Sequence, residues 1–169
     1  MYGMRLLDSG CEDGVAYLYS LASLKLLQSF LHDQSGSEER MNVECVGFAH
    51  PSLTWVATGG LDNTLRVWER TGFCRCSISH NGGVVSLQWH PQLPLLCTAS
   101  LDCAVRLVDA RNGHVLRLFT GHLDNVTSVV LAKLMNKEVE GVPSEVNAIV
   151  SLSEDASAKV FFVDFASFI

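Results

Sequence analysis

Basic residues are scarce in this sequence: 12 lysines and arginines stand against 18 aspartates and glutamates, giving a net charge of −6. That balance argues against direct nucleic-acid binding, which is driven by neutralising phosphates with Lys and Arg. No apolar run approaches the roughly 20 residues that a membrane-spanning helix needs, so no membrane insertion is expected. The opening MYGMRLLDSGCEDG does not read as a signal peptide, because Leu6-Leu7 is followed at once by Asp8, Glu12 and Asp13. Helix periodicity is nearly absent, as are a Gly-rich phosphate loop, a nucleophile elbow and a Cys–His dyad. No enzyme and no cofactor is therefore expected. What is abundant is apolar: 48% hydrophobic against 18% charged residues, which excludes a disordered chain. Six cysteines lie mostly inside apolar runs and, without a secretory signal, read as reduced core residues in the cytoplasm. The nucleus is the second compartment this composition allows.

The apolar residues come as short β-branched or alternating runs between Gly, Asp, Asn, Ser and Pro, a strand-and-turn pattern. The runs repeat. GGLDNTLRVWE (59–69), ASLDCAVRLVD (99–109) and LSEDASAKVFF (152–162) align, and SGCEDGVAYLYS (9–20) joins them. Each carries an acidic turn residue, Asp13, Asp62, Asp102 or Asp155. Six positions later stands a large or apolar residue: Tyr19, Trp68, Val108 or Phe161. Upstream strands VECVGFAHP, VVSLQWHP and VTSVVLA, and downstream strands LKLLQSF, CRCSIS and VLRLF, complete four-stranded units of roughly 40 residues.

The period, with Gly121-His122 and Ser79-His80 opening two units and Trp68-Glu69 and Val108-Asp109 closing two, resembles the WD repeat. NVECVGFAHPSLTWVATGGLDNTLRVWE, GGVVSLQWHP, SLDCAVRLVDARNGHVLRLFTGH and SEDASAKVFFV are similar to the carboxy-terminal half of the angio-associated migratory cell protein family. Fungal relatives in that family are dedicated chaperones of a ribosomal protein. The resemblance implies an all-β fold: a partial WD40-type β-propeller of about three and a half four-stranded antiparallel blades in an open ring. The expected divisions are an incomplete blade at 1–31, an acidic Ser/Gly-rich insertion at 32–42, and blades at 43–79 and 80–119. A last blade at 120–169 carries an insertion at 133–147 and an incomplete final strand. An open ring exposes strand edges, so the chain is expected to need missing blades or self-association, and Met1 reads as a possible internal position.

In WD repeats the turn Asp accepts a hydrogen bond from a His entering the blade, the His meets a strand Ser or Thr, and that hydroxyl meets the closing Trp. The resemblance therefore implies a structural network of Asp13, Asp62, Trp68, His80, Ser100, Asp102, His122, Ser153 and Asp155. His80–Ser100–Asp102 and His122–Ser153–Asp155 are the two expected chains, both ending early because Val108 and Phe161 cannot donate as Trp does. The second unit keeps Asp62 and Trp68 but has Gly60 at the Ser position.

Other motifs read as architecture. His50-Pro51 and His90-Pro91 occupy the same turn in successive units. Cys74, Cys76 and His80 lack a second pair at zinc spacing, so no metal is expected. Arg66, Arg106 and Lys159, each four after a turn Asp, are expected to reach a nearby carboxylate. HDQSGSEER (32–40) reads as a surface insertion, with a gripping acidic arm as the sharper alternative. Propeller geometry puts the partner face at Glu12, Asp13, Asn63, Asn81, Asp124, Asn125 and Glu154, which suits a basic protein. The resemblance implies a non-enzymatic scaffold for protein partners: a chaperone-like adaptor for a basic ribosomal protein, or a cell-migration signalling partner. The alternatives are a substrate-receptor or trafficking subunit, and a truncated product with no independent function.

Overall fold

The computed structural model describes residues 6–32, 41–50, 54–136 and 144–168. They form four antiparallel sheets in chain order. The first sheet is β1 (Leu6–Gly10), β2 (Val15–Ser20) and β3 (Lys25–Leu31). The second is β4 (Val43–Phe48), β5 (Trp55–Gly60), β6 (Thr64–Glu69) and β7 (Cys74–Ser79). The third is β8 (Val84–Trp89), β9 (Leu95–Ser100), β10 (Val105–Asp109) and β11 (His114–Phe119). The fourth is β12 (Val126–Asn136), β13 (Ser144–Ser153) and β14 (Ala158–Phe162), followed by a 3-10 turn at Phe165–Phe168.

Every connection inside a sheet is a hairpin, and each sheet packs on the next, so the architecture is an open, partial β-propeller. Among the described residues the first sheet has no strand equivalent to β4 and the last has none equivalent to β7. β1 is a strand that the spacing of the repeats did not reveal. The described ends of the segment expected as an insertion at 133–147 are paired as ladder, with Lys133 opposite Asn147 and Asn136 opposite Ser144. The reason is that both arms continue in strand conformation past the usual blade length, forming one long hairpin; residues 137–143 lie outside the described residues. So does most of the acidic insertion, at 33–40.

Three apolar layers hold the sheets together. Ala16, Leu18 and Phe30 meet Val43, Val56 and Trp68 between the first two sheets. Ala57, Leu65, Val67 and Ile78 meet Val84, Leu96 and Val108 between the second and third. Leu95, Cys97, Val105, Leu107 and Phe119 meet Val126, Val129 and Ile149 between the third and fourth. Each fully buried Leu or Val contributes about 1.5–3 kcal/mol. Backbones approach closely as well: a Cβ added at Gly59 would lie 2.6 Å from both Cys45 and Val84.

The turns carry the repeat more faithfully than the sequence does. Directly after each turn acid, one residue adopts positive φ: Gly14 at 76°, Asn63 at 62°, Cys103 at 64° and Ala156 at 61°. A second set precedes each outer strand, with Leu24 at 53°, Gly72 at 92° and Gly113 at 76°. Leu24 is an exposed leucine where the other two units use glycine. Left-handed backbone costs a leucine about 1–2 kcal/mol, part of which glycine returns through its freer unfolded chain. Leu24→Gly is therefore expected to stabilise the protein by about 0.5–1 kcal/mol, read as a raised thermal midpoint. A lowered midpoint would contradict the turn assignment.

Candidate functional site

The second sheet contains a complete hydrogen-bonded chain. Trp68 Nε1 donates to Thr58 Oγ1 at 2.8 Å, and Thr58 Oγ1 lies 2.5 Å from His32 Nε2. His32 Nδ1 lies 3.2 Å from both oxygens of Asp62. With Nδ1 as the donor to the carboxylate, Nε2 is free to accept from Thr58, and every bond in the chain is satisfied. Asp62 also accepts from the Thr64 backbone N and hydroxyl, and from Arg66 at 2.6 Å. Burial alone would raise the Asp62 carboxyl, but His32, Thr64 and Arg66 outweigh it and hold it well below the usual carboxylate range.

Two of these four residues escape a reading by motif. His32 heads the polar segment and looks like part of an insertion; its signal is that it directly follows an outer strand, as His80 does. Thr58 stands two residues before Gly60, the position expected to hold the hydroxyl. The same correction applies to the other sheets. The hydroxyls that meet the histidines are Thr98 (His80 Nε2, 3.0 Å) and Ser151 (His122 Nε2, 2.8 Å), not Ser100 and Ser153. Ser100 donates to the Gly82 carbonyl and accepts from the Asp102 N–H; Ser153 donates to the Asp124 carbonyl and accepts from the Asp155 N–H. Both sit at the strand end, where a hydroxyl shapes the turn instead of entering the sheet.

The chains differ at their acidic ends. His122 Nδ1 reaches Asp155 at 3.0 Å, as expected. Hydrogen bonds from Ser157 and the Leu123 backbone hold the Asp155 carboxyl below its ordinary range. His80 does not reach Asp102: its Nδ1 lies 3.2 Å from the Ile78 carbonyl. Both Asp102 oxygens are instead taken by the two terminal nitrogens of Arg106, at 3.1 and 2.6 Å. Asp13, in the first sheet, accepts among the described residues from the Tyr17 hydroxyl at 2.8 Å and from the Val15 N–H. Tyr17 thus fills the position that Arg66, Arg106 and Lys159 hold elsewhere. Arg66 and Arg106 do pair with their own turn acid, whereas Lys159 forms no such pair among the described residues.

Removing Asp102 strands the buried Arg106 guanidinium, whereas Asn63 is exposed and contributes mainly its tolerance of left-handed backbone. Asp102→Ala is expected to destabilise the protein by about 1–2 kcal/mol more than Asn63→Ala. Equal denaturation midpoints would show that the Asp102–Arg106 pair carries no net stability.

These turns form one rim. The links entering the sheets bond to the turns: Asn81 N to Asp102 Oδ2, Leu123 N to Asp155 Oδ2, and Leu101 N to the Gly83 carbonyl. Glu12, Asn63, Asn81, Asp124 and Glu154 are exposed there, and Asn125 holds Glu154 at 2.8 Å. Asp13 belongs to the same rim but is half-buried and bonded to Tyr17 and Val15, whereas Glu12, Asp124 and Glu154 are exposed. The apolar groups of the rim were not legible in the sequence. Leu123 is 89% exposed, the most exposed large apolar residue described. Leu61 and Leu101 converge over Gly83, where an added Cβ would lie 2.7 and 3.3 Å from them.

Among the described residues no group of three or more His, Cys, Asp or Glu is placed to hold a metal ion. Cys74 packs toward the first sheet and Cys76 toward the third, because the bulge beside Trp68 turns them to opposite faces. Burial pushes the Cys45 thiol up to about 12 and the Cys76 thiol up to about 11, the opposite of an activated nucleophile. His90 caps its turn, its Nδ1 accepting from the Gln92 and Leu93 N–H groups.

Comparison with known proteins gives related answers from three directions. A family model for the WD domain, G-beta repeat, matches residues 28–69, and one for the anaphase-promoting complex subunit 4 WD40 domain matches residues 62–134. The human angio-associated migratory cell protein is 30% identical over 94% of this chain, and the chain spans only 36% of that protein's length. The mouse ribosome biogenesis protein BOP1 is 38% identical over 50% of the chain, covering 11% of that protein. The solved structure of the computationally designed Ika4 protein matches with a TM-score of 0.69 at 20% identity. That match covers 96% of this chain and 88% of the other. At that identity the likeness concerns the fold alone.

Proposed function

Because the chain belongs to the WD-repeat family, we propose that it is a non-enzymatic protein–protein interaction scaffold that grips a basic partner on its turn rim. Repeats of this family serve as interaction platforms, and the titratable groups found here are spent on architecture. The observation that carries the finer reading is the rim itself. Glu12, Asp124 and Glu154 are exposed on the same rim as the exposed Leu123 and the Leu61–Leu101 pair. Acidic groups around aliphatic anchors suit a Lys- and Arg-rich segment with apolar residues between the charges.

The partner is a basic protein of the ribosomal kind, bound in the cytoplasm and shielded from misassembly while it is held. The ribosome-biogenesis relative supports that reading; the migratory-cell relative supports a signalling partner as the second choice. The test is fluorescence anisotropy with a labelled Lys/Arg-rich peptide of about 15 residues. Glu12→Lys, Asp124→Lys and Glu154→Lys combined should weaken binding by about tenfold or more, with affinity falling as salt rises. Gln92→Lys, at the opposite end of the strands, should leave it unchanged. Equal affinity for both proteins would overturn the rim as the binding face.

A further inference from the structure

The strand ends opposite the turn rim hold a groove. A cavity of about 410 Å³ lies there, walled by Ala49 and His50 of the second sheet, Trp89, His90 and Pro91 of the third, and Leu131 of the fourth. A second, of about 40 Å³, adjoins it across His90, Pro91 and Leu131 and runs on to Asn147 and Phe165. Together they cross three consecutive sheets at the strand ends, away from the lateral faces of the first and last sheets.

His90 brings an uncommitted donor to this groove. The residue is only 8% exposed, and Phe165 packs against its ring edge to face at 4.7 Å. Its Nδ1 accepts from the Gln92 and Leu93 N–H groups, so the ring proton sits on Nε2. Nε2 has no partner among the described residues. The buried side-chain nitrogens and oxygens left without one are the Nε atoms of Arg70 and Arg75, so His90 Nε2 is not sealed in and opens on the groove that its ring lines. Gln88 and Asn147 add uncharged carboxamides; Gln88 is exposed, and the Asn147 backbone carbonyl is already taken by the Val163 N–H. Among all the lining residues Lys133, on the wall of the smaller cavity, is the one Lys, Arg, Asp or Glu.

We propose that this groove binds an extended, uncharged peptide segment of a protein partner, with an apolar side chain in the larger cavity and a backbone carbonyl on His90 Nε2–H. Carboxamides carry both a donor and an acceptor, the two groups that a peptide backbone needs. The larger cavity lies within the roughly 300–1,000 Å³ of ligand pockets, and Trp89, Pro91 and Leu131 give it apolar walls. A carboxylate seated there would exchange its water for one neutral donor, which is unfavourable. The segment differs in chemistry from the basic one proposed for the rim, so failure of either reading leaves the other standing.

Titration of the isotope-labelled 169-residue chain with acetyl-Ser-Leu-Gln-Leu-Ser-amide tests it, followed by the indole N–H signals of the three tryptophans in nuclear magnetic resonance. The Trp89 signal should move and saturate at about 0.1–1 mM peptide while those of Trp55 and Trp68 stay in place. Pro91→Arg, at an exposed position shared by both cavities, should weaken binding by about tenfold or more. Gln88→Arg replaces it if that variant loses its circular dichroism. Glu154→Lys, on the rim, should leave the affinity unchanged. An unmoved Trp89 signal, or an affinity that survives the groove substitution, overturns the groove as the site. A loss caused by Glu154→Lys instead overturns it in favour of the rim. Equal affinity for acetyl-leucine amide overturns the extended segment, and equal affinity for the peptide with serine in place of both leucines overturns the apolar side chain.

Discussion

Thr58→Val is expected to lower the stability of the protein by about 2–4 kcal/mol, although valine fills nearly the same volume. Thr58 is fully buried and stands at the centre of the chain from Trp68 to Asp62. Its hydroxyl accepts from the Trp68 indole and donates to His32. A methyl group in that place leaves both partners buried and unbonded, at about 1–3 kcal/mol each. The control is Thr98→Val. There the position of the tryptophan is held by Val108, so only the bond to His80 is lost and about 1–2 kcal/mol is expected. The measurement is urea denaturation followed by circular dichroism, where these losses shift the midpoint by about 1–2 M and less than about 1 M. Equal shifts would mean that the tryptophan bond contributes nothing.

Acidification should weaken the protein well before its carboxylates protonate. Burial, with the Arg106 charge second, pushes the His80 imidazole down to about 4, from an ordinary value near 6.5. His90 is lowered too, by burial and then by Lys133. Between pH 6.5 and 4 the unfolded chain binds a proton at His80 that the folded chain refuses, so stability rises with pH across that window. The stability is present above pH 6.5 and is lost as pH falls toward 4, by about 2–3 kcal/mol for His80. A second loss begins below about pH 4. Asp62, Asp102 and Asp155 have lowered carboxyls, and the stability they contribute above their unfolded value disappears as they protonate. Denaturation midpoints from pH 7.5 to 4 check the first phase. His80→Gln should be less stable at neutral pH and should flatten the slope. An unchanged slope would place the pH response elsewhere.

The sheet count and the turn acids were legible because Asp62, Asp102 and Asp155 recur with apolar strands at fixed offsets, and local spacing survives folding. The identity of the network was not. Ser100 and Thr98 share one face of β9, so alternation alone puts both on the side that meets His80; only depth along the strand separates them. Ser100 sits where the chain turns and Thr98 sits inside. His32 was hidden by composition, since a polar run follows it while its function depends on the strand before it. The Asp102–Arg106 fork could be anticipated as a pair, but not its consequence, because whether an arginine takes one carboxylate oxygen or two is decided in space. The rim acids were readable as exposed turn residues. The bare Leu123 was not, since an isolated leucine in a loop looks the same whether it is covered or exposed.

His32 follows the outer strand of the first sheet and bonds the buried threonine of the second; His80 and His122 likewise each bond a buried hydroxyl of the next sheet. The visible sheet and the self-sufficient unit are therefore out of phase. A duplication, exon boundary or truncation that respects the sheets, beginning at Val43 or Val84, separates each threonine or serine from its histidine. One that begins at His32 or His80 keeps each set intact. Gain and loss of repeats in such a chain are tolerated in the frame of the histidines, and a fragment designed for expression is best cut there.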